Sequence, residues 1–140
     1  SAASDVYKRQ RGSLKYSDSE WCTWNDNDSV SFTIDLLKPE TLNTLTLGCI
    51  TNNGMAIHKP SSVKVEVSDD NSSFCEAAMR SFTPEEIFRE GNFIENLPLK
   101  LRGTQARYVR VTAKGPGVCP ASHVRPGQVS RILFDEMILE

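Results

Sequence analysis

The chain has 140 residues, of which 39% are hydrophobic and 24% charged, and its 18 acidic and 16 basic side chains leave a formal net charge of −2. This length suits one domain with one sizeable core and is too short for two ordinary domains. The charge balance offers no concentrated basic field, so no nucleic-acid partner is expected. Neither end carries a long apolar run, so we expect neither membrane insertion nor a retained signal peptide.

The first ten residues show no periodic pattern and are mostly small, polar or charged. We expect residues 1–10 to be an appended or disordered N-terminal segment. Residues 11–140 contain no internal repeat and no low-complexity linker, which predicts a single domain.

Alternation of apolar and polar residues predicts strands along most of the chain. Between residues 30 and 36, every even position is apolar and every odd position is polar. The fourth predicted strand contains Pro98, which lacks a backbone N–H and therefore suggests a sheet edge or a bulge. The predicted strands cover residues 30–36, 44–49, 62–68, 93–101, 106–113 and 132–139.

One segment has the signature of a helix start. Thr83 offers a capping hydroxyl, Pro84 stands at the first helical position, and Glu86 follows three residues after the cap. Gly91 limits this helix to about two turns. Six or more short strands with no regular helices between them favour an antiparallel β-sandwich.

The four cysteines lie far apart in the sequence, at Cys22, Cys49, Cys75 and Cys119. Because no C-x-x-C pair is present, the spacing argues against a zinc site and against a thioredoxin-like redox centre. An even count permits disulfides in three pairings, among which the sequence does not choose. Since this chain does not need staples for stability, we expect most of its cysteines to be reduced and buried.

Catalytic motifs are missing from the sequence. No serine stands in a G-x-S-x-G elbow, and neither a phosphate-binding glycine loop nor H-E-x-x-H is present. A glycosidase uses a pair of carboxylates, and the candidates here are Asp35, Asp135 and Glu136, which would have to converge in space. Carboxylates at strand ends are more often solvated or structural, so we expect the chain not to be an enzyme.

Two tryptophans, Trp21 and Trp24, stand in a polar, turn-rich segment before the first clear strand. An indole can stack on the C–H face of a sugar, while a neighbouring amide such as Asn25 bonds to its hydroxyls. We expect Trp21 in the core and Trp24 with Asn25 at a sugar site. The alternative is that one or both indoles plug the end of the sandwich.

A long loop over residues 114–128 contains three prolines and joins two predicted strands. Long loops on a rigid scaffold often carry binding sites. His123, Arg125 and Arg131 supply hydrogen-bond donors there, and Asn53 and His58 stand in the loop before the third strand. Each could instead be a solvated loop residue, and His58 could simply pack against the nearby proline.

Four segments occur in an order that resembles a known family. They are residues 32–36 (FTIDL), 60–70 (PSSVKVEVSDD), 106–111 (ARYVRV) and 134–137 (FDEM). The chain resembles a discoidin or coagulation factor 5/8 type C domain. It is similar in particular to the carbohydrate-binding family 32 modules (CBM32) at the C-terminal end of bacterial family 20 β-N-acetylhexosaminidases.

This resemblance implies an all-β, galactose-binding-domain-like antiparallel β-sandwich, or jelly roll. It implies a non-catalytic module that binds galactose or N-acetylhexosamine glycans through loops at one end and holds a secreted bacterial glycoside hydrolase near its glycan. The catalytic domain of the parent chain would be its other partner, and the location would be periplasmic, cell-surface or secreted. A structural calcium near Asp18 and Glu136 is implied, with no other cofactor.

The resemblance has two departures, since Ala56, before the third strand, and Arg131, just before the last strand, stand where relatives tend to carry aromatic residues. Two other functions are therefore weighed. The domain could be a structural accessory that packs on a catalytic domain, or a protein-adhesion domain without a sugar site.

Overall fold

A computed structural model of the chain describes residues 29–140 in full and the backbone of residues 8–10, 13–16 and 22–23. Antiparallel pairing dominates these ranges, and none of their helices is long and apolar enough to cross a membrane. The elements are β1 (Lys8–Gln10), β2 (Ser13–Tyr16), β3 (Cys22–Thr23), β4 (Ser29–Asn52), β5 (Ser62–Ser68), β6 (Cys75–Ser81), the short helix α1 (Pro84–Ile87), β7 (Asn92–Lys114) and β8 (Ile132–Leu139).

Two long strands, β4 and β7, run through the whole fold and pair with each other twice. Residues 29–35 of β4 pair with residues 108–114 of β7, and residues 44–52 pair with residues 92–100. Between these stretches the register shifts, and Leu37 and Arg102 adopt left-handed backbone angles, with φ of 72° and 58°. The two strands therefore turn a corner together and supply strands to two layers.

The remaining strands complete each layer. The hydrogen-bonded order is β1-β2-β8-β4-β7-β5-β6, and β3 pairs with β8. β5 pairs with residues 108–114 of β7 and with β6, so these strands lie in the first layer, with residues 29–35 of β4. β8 pairs with residues 45–49 of β4 and with β2, which pairs with β1, so these strands lie in the second layer. The predicted all-β antiparallel sandwich is confirmed.

One apolar core fills the space between the layers, and it is built from the alternating positions that the sequence indicated. Burying each such large side chain contributes about 1.5–3 kcal/mol. The residues predicted to face inward and found buried are Phe32, Ile34, Leu36, Leu45, Leu47, Cys49, Val63, Val65, Leu97, Leu99, Leu101, Val109 and Val111.

A bulge in β8 explains why its sequence does not alternate. Gly48 of β4 pairs with Glu136, and the next residue of β4, Cys49, pairs with Phe134, so Asp135 is the extra residue. A Cβ on Gly48 would lie 2.0 Å from Asp135 Oδ1, so only glycine leaves room for that carboxylate. The change of phase lets Ile132, Phe134, Met137 and Leu139 all face the core.

The corners place three loops at the same end of the sandwich. β4 changes direction at its corner, between residues 36 and 43, so its first and last residues lie close together at the end of the sandwich away from the corner. The first loop (residues 53–61) follows the end of β4, and the second loop (residues 82–91) leads into the start of β7, which pairs with it. The third loop (residues 115–131) follows the end of β7, which pairs with the start of β4.

Several details differ from the sequence-based expectations. The sheet begins at Lys8, within the segment expected to lie outside the fold. β6 was not predicted, and α1 has one turn rather than two. Pro98 does lie on an edge, because the described pairings of the first part of β7 involve β4 alone.

The cysteines follow the expectation in part. The structure describes free thiols at three cysteines, of which Cys49 and Cys119 are buried, as expected of most of them, and Cys75 is exposed. The side chains of Cys22 and Trp21 lie outside the described residues.

Candidate functional site

Backbone hydrogen bonds join the three loops into one surface. The amide of Asn53 donates to the Gly91 carbonyl at 3.1 Å, linking the first and second loops. The amide of His58 donates to the Arg131 carbonyl, and the Arg131 amide donates to the Ala56 carbonyl, both at 2.9 Å. Side chains carried by these loops therefore have fixed relative positions.

The third loop forms a small hairpin that is closed by backbone hydrogen bonds. The Cys119 amide donates to the Gln128 carbonyl at 2.8 Å, and the Gly127 amide donates back to the Cys119 carbonyl at 2.9 Å. Gly127 has a φ of 75°, a left-handed conformation that glycine adopts without strain. The hairpin fixes the positions of Cys119 and His123.

Helix α1 positions an aromatic ring between the loops. Thr83 Oγ1 accepts from the Glu86 amide at 3.2 Å, and Glu86 Oε1 accepts from the Thr83 amide at 2.9 Å, so the predicted capping box is confirmed. These bonds hold the pKa of Glu86 below its ordinary value. The helix ends at Ile87, and its C-cap residue is Phe88, whose ring packs edge-on against His58 at 5.1 Å and His123 at 6.3 Å between ring centres.

An open cavity of about 260 Å³ lies between the three loops. The half-buried ring of Phe88 forms part of its wall, and Asn53 contributes a buried side-chain oxygen, Oδ1, that has no hydrogen-bond partner. Aromatic surface beside hydrogen-bonding groups is the usual composition of a small-molecule site. The lining residues are Asn53, Pro84, Glu85, Phe88, Glu90, Pro120, Ser122 and His123.

Two imidazoles face each other under the cavity wall. The Nε2 atoms of His58 and His123 are 2.9 Å apart. His123 Nδ1 accepts a hydrogen bond from the Arg125 amide at 2.9 Å, which assigns the proton of neutral His123 to Nε2. Nε2–H of His123 then donates to His58 Nε2, whose own proton is on Nδ1.

The electrostatics of this pair keep His58 neutral at pH 7. Burial, and to a smaller extent the nearby His123, lower the pKa of His58 to about 4, although the Ile87 carbonyl opposes this shift in part. No hydrogen bond of ordinary geometry reaches His58 Nδ1. His58 is therefore a buried neutral ring with a lone pair on Nε2.

Cys119 completes a cluster with the two histidines. The ligating atoms of His58, Cys119 and His123 lie within 4.8 Å of one another, and all three residues are buried. Burial raises the pKa of the Cys119 thiol. The argument from spacing against a zinc site did not anticipate this cluster, because it considered neighbours in sequence and these residues come from two separate loops.

The predicted sugar-binding residues have different locations in the structure. Asn53 and His123 line the cavity. His58 has no exposed surface, so a direct sugar contact is not available to it, and it supports His123 from below instead.

The two predicted arginines hold the first loop in place. Arg125 Nε donates to the Gly54 carbonyl, and Arg131 Nη2 donates to the Met55 carbonyl at 3.3 Å. Neither guanidinium lines the cavity. Both therefore contact the loop that supplies Asn53.

The other predicted site residues are Trp24, Asn25 and Asp18, and all three lie outside the described residues. Glu136 lies at the β8 bulge beside Asp135, whose Oδ1 is buried without a hydrogen-bond partner. The carboxylates of Asp135 and Glu136 are suitable calcium ligands, but they supply fewer than the six to eight oxygens that calcium takes. The calcium site stays a prediction.

Asp35, one of the three carboxylates considered for catalysis, does not have the properties of a glycosidase general acid. Asp35 accepts two hydrogen bonds from Arg107, at 2.8 and 3.0 Å. This pairing holds the pKa of Asp35 below its ordinary value. A general acid needs the opposite shift, so Asp35 is a structural ion-pair partner.

Sequence reasoning missed the cavity residues of the second loop and their neighbour Ser122. The capping signal at Thr83 predicted a helix of about two turns that includes Phe88, and this was the available clue. Nothing in the local pattern of Glu85, Phe88 or Glu90 indicated that they would meet the third loop.

Comparison with known proteins identifies the fold and the family. The fold is shared with CBM32-3 from a family 31 glycoside hydrolase of Clostridium perfringens, at 17% identity and a TM-score of 0.52, covering 91% of this chain and 73% of that one. It is shared with CpGH89CBM32-5 from Clostridium perfringens, in complex with GalNAc-β-1,3-galactose, at 17% identity and a TM-score of 0.53, covering 85% and 73%. The C-terminal domain of a chitobiase from Bacteroides fragilis has 16% identity and a TM-score of 0.51, covering 82% and 64%.

No curated protein sequence matches the chain. The family model of the F5/8 type C domain matches residues 2–125, most of the chain. The chain belongs to the F5/8 type C domain family.

Proposed function

We propose that the chain is a non-catalytic carbohydrate-binding module and that the cavity between its three loops is the sugar site. The observation that carries this proposal is the Phe88 ring beside the polar side chains of Asn53, Glu85 and Ser122 in the wall of one cavity. An aromatic face takes the C–H face of a sugar, and amide, carboxylate and hydroxyl groups form hydrogen bonds to its hydroxyls.

The size and charge of the cavity narrow the class of sugar. Its volume of about 260 Å³ is below the roughly 300–1,000 Å³ of sites for drug-sized ligands, so it suits one terminal sugar ring. Glu85 and Glu90 accept hydrogen bonds from hydroxyls and repel acidic groups. A neutral galactose or N-acetylhexosamine residue fits these properties better than a uronic or sialic acid.

Binding is proposed to be weak. In an open cavity, protein hydrogen bonds replace bonds that the hydroxyls already make to water, so little free energy is gained. We expect dissociation constants from high micromolar to millimolar, or roughly −4 to −6 kcal/mol.

The cellular setting is proposed with the help of the solved structures, several of which are glycoside hydrolase modules. The module would hold a secreted bacterial glycoside hydrolase, of the β-N-acetylhexosaminidase type, near its glycan at the periplasm or cell surface. Trp24 and Asn25 would extend the site, and the parent's catalytic domain would be the second partner. The chain itself is expected to give no turnover of aryl glycosides.

The test is an NMR titration of the ¹⁵N-labelled chain with galactose, N-acetylgalactosamine and N-acetylglucosamine up to about 10 mM, well above the strong end of the expected range. We expect saturable shifts at Asn53, Phe88 and Ser122. Phe88→Leu keeps the apolar volume but removes the flat ring face. It should weaken binding about 2–10-fold, the equivalent of one aromatic contact of about 0.5–1.5 kcal/mol.

The matched control is Phe74→Leu, which changes another half-buried ring. Phe74 lies at the opposite end of β5 from the loops and stacks with Arg110 at 3.9 Å. This variant should bind sugar like the unmodified chain. Absence of shifts with every sugar would refute the proposal and favour a structural accessory or a protein-adhesion domain.

A further inference from the structure

We infer that His58, Cys119 and His123 form a binding site for one zinc ion beneath the cavity. This inference does not depend on sugar binding. It depends on the convergence of two imidazoles and a thiol in a buried cluster, brought together by the first and third loops.

The ligand set and its dimensions suit zinc. Two histidines and a cysteine are common zinc ligands, and Zn–N of about 2.0–2.1 Å with Zn–S of about 2.3 Å separates tetrahedral ligand atoms by about 3.3–3.6 Å. The two Nε2 atoms, at 2.9 Å, are slightly closer than this, and the farthest pair of ligand atoms is within 4.8 Å. Side-chain movements of about 1 Å would bring all three atoms to bonding distance.

His58 already has the orientation of a metal ligand. Its Nε2 lone pair points towards His123, and its proton is on Nδ1, away from the cluster. A ligating histidine carries its proton on the nitrogen that does not bind the metal.

Metal binding requires a defined movement of protons. In the metal-free chain His123 carries its proton on Nε2, so this proton must move to Nδ1 before Nε2 binds zinc, and the hydrogen bond from the Arg125 amide is lost. Arg125 is exposed, so water can accept from that amide in place of the ring. Cys119 releases its thiol proton to solvent, and one proton leaves per zinc bound.

The cavity provides a route for the ion and a fourth ligand. His123 is part of the cavity wall, so its ring separates the cluster from an opening to solvent. Three protein ligands leave one position of tetrahedral zinc for a water molecule from the cavity. Cobalt(II), which takes the same geometry, reports such a site by absorption.

The experiment titrates the reduced, full chain with cobalt(II) and then displaces cobalt with zinc. We expect one cobalt per chain, with a thiolate-to-cobalt charge-transfer band in the near ultraviolet. Cys119→Ser should abolish this band, and His58→Gln should weaken binding at least tenfold. Cys75→Ser, which removes an exposed thiol, is the matched control and should leave the spectrum unchanged.

A second measurement needs no variant and therefore does not depend on how the substituted chains fold. Imidazole ¹⁵N spectra recorded with and without zinc should show a coordination shift at Nε2 of both His58 and His123. An absent charge-transfer band in the folded chain, a band that survives Cys119→Ser, or imidazole nitrogens that do not shift with zinc would each overturn the inference.

Discussion

Gly48→Ala is the substitution whose effect follows most directly from the structure. The added Cβ would lie 2.0 Å from Asp135 Oδ1 and 3.1 Å from its Cγ, distances that the β8 bulge cannot keep. The carboxylate must move, or β4 and β8 must separate. Overpacking of this kind costs about 1–3 kcal/mol.

The assay is thermal unfolding followed by circular dichroism. For a domain of this size, 1 kcal/mol corresponds to about 3–5 °C in the unfolding temperature, so Gly48→Ala should lower it by about 3–15 °C. Gly54→Ala is the matched control, because its Cβ would meet only Asn52 Oδ1 at 3.7 Å, an ordinary contact. The control should change stability by no more than about 0.5 kcal/mol.

A double-mutant cycle identifies the clash as the cause. Asp135→Ala removes the buried oxygen that has no hydrogen-bond partner and should cost less than about 1 kcal/mol alone. Combined with Gly48→Ala, it should recover most of the lost stability, since the atoms that clash are gone. A double variant as unstable as Gly48→Ala would refute this reasoning, as would Gly48→Ala being as stable as the Gly54→Ala control.

Three further predictions concern titration, thiol reactivity and calcium. The folded pKa of His58 is about 4 and its ordinary value is 6.5, so the metal-free chain should keep full stability above pH 6.5 and lose up to about 3 kcal/mol by pH 4, as measured by urea unfolding. His58→Gln should reduce this dependence of stability on pH, and an unchanged dependence would contradict the assignment of the lowered pKa to His58. Cys75 should react with iodoacetamide in the folded chain at least tenfold faster than Cys49, as mapped by mass spectrometry, and equal rates would contradict their described burial. The calcium-selective chelator EGTA should lower the unfolding temperature of the unmodified chain but not of Glu136→Gln, and no effect of EGTA on either would remove the calcium prediction.

The parts of the fold that sequence predicted are those in which local alternation and tertiary burial agree. The regular apolar positions around Ile34, Leu47 and Val111 were enough to place three strand segments and their inner faces, although the first two segments belong to one strand, β4. β6 was missed because its sequence, CEAAMRS, has neither alternation nor branched residues, and it forms as an edge strand paired to β5. The bulge at Asp135 interrupts the alternation of apolar and polar residues in β8, so the sequence did not show which of its residues face the core.

The candidate site was predicted only in part because its residues meet through long-range contacts. His58 and His123 are 65 positions apart, and their contact depends on how the corners of β4 and β7 return both strands to one end. Asn53 and His123, which were predicted from the polar residues in the loops, both line the cavity. The buried state of His58, and the meeting of both histidines with Cys119, depend on packing that no local pattern contains.

The shared passage of β4 and β7 through both layers has a consequence for how the domain opens. In a sandwich made of two separate sheets, one sheet can detach while the other stays folded. Here β4 and β7 belong to both layers, so their hydrogen bonds would have to break in both layers at once. Amide protons on either side of the core should accordingly exchange with solvent through one common event. The three loops would then be the part of the molecule that can change shape locally, on a frame that opens only as a whole.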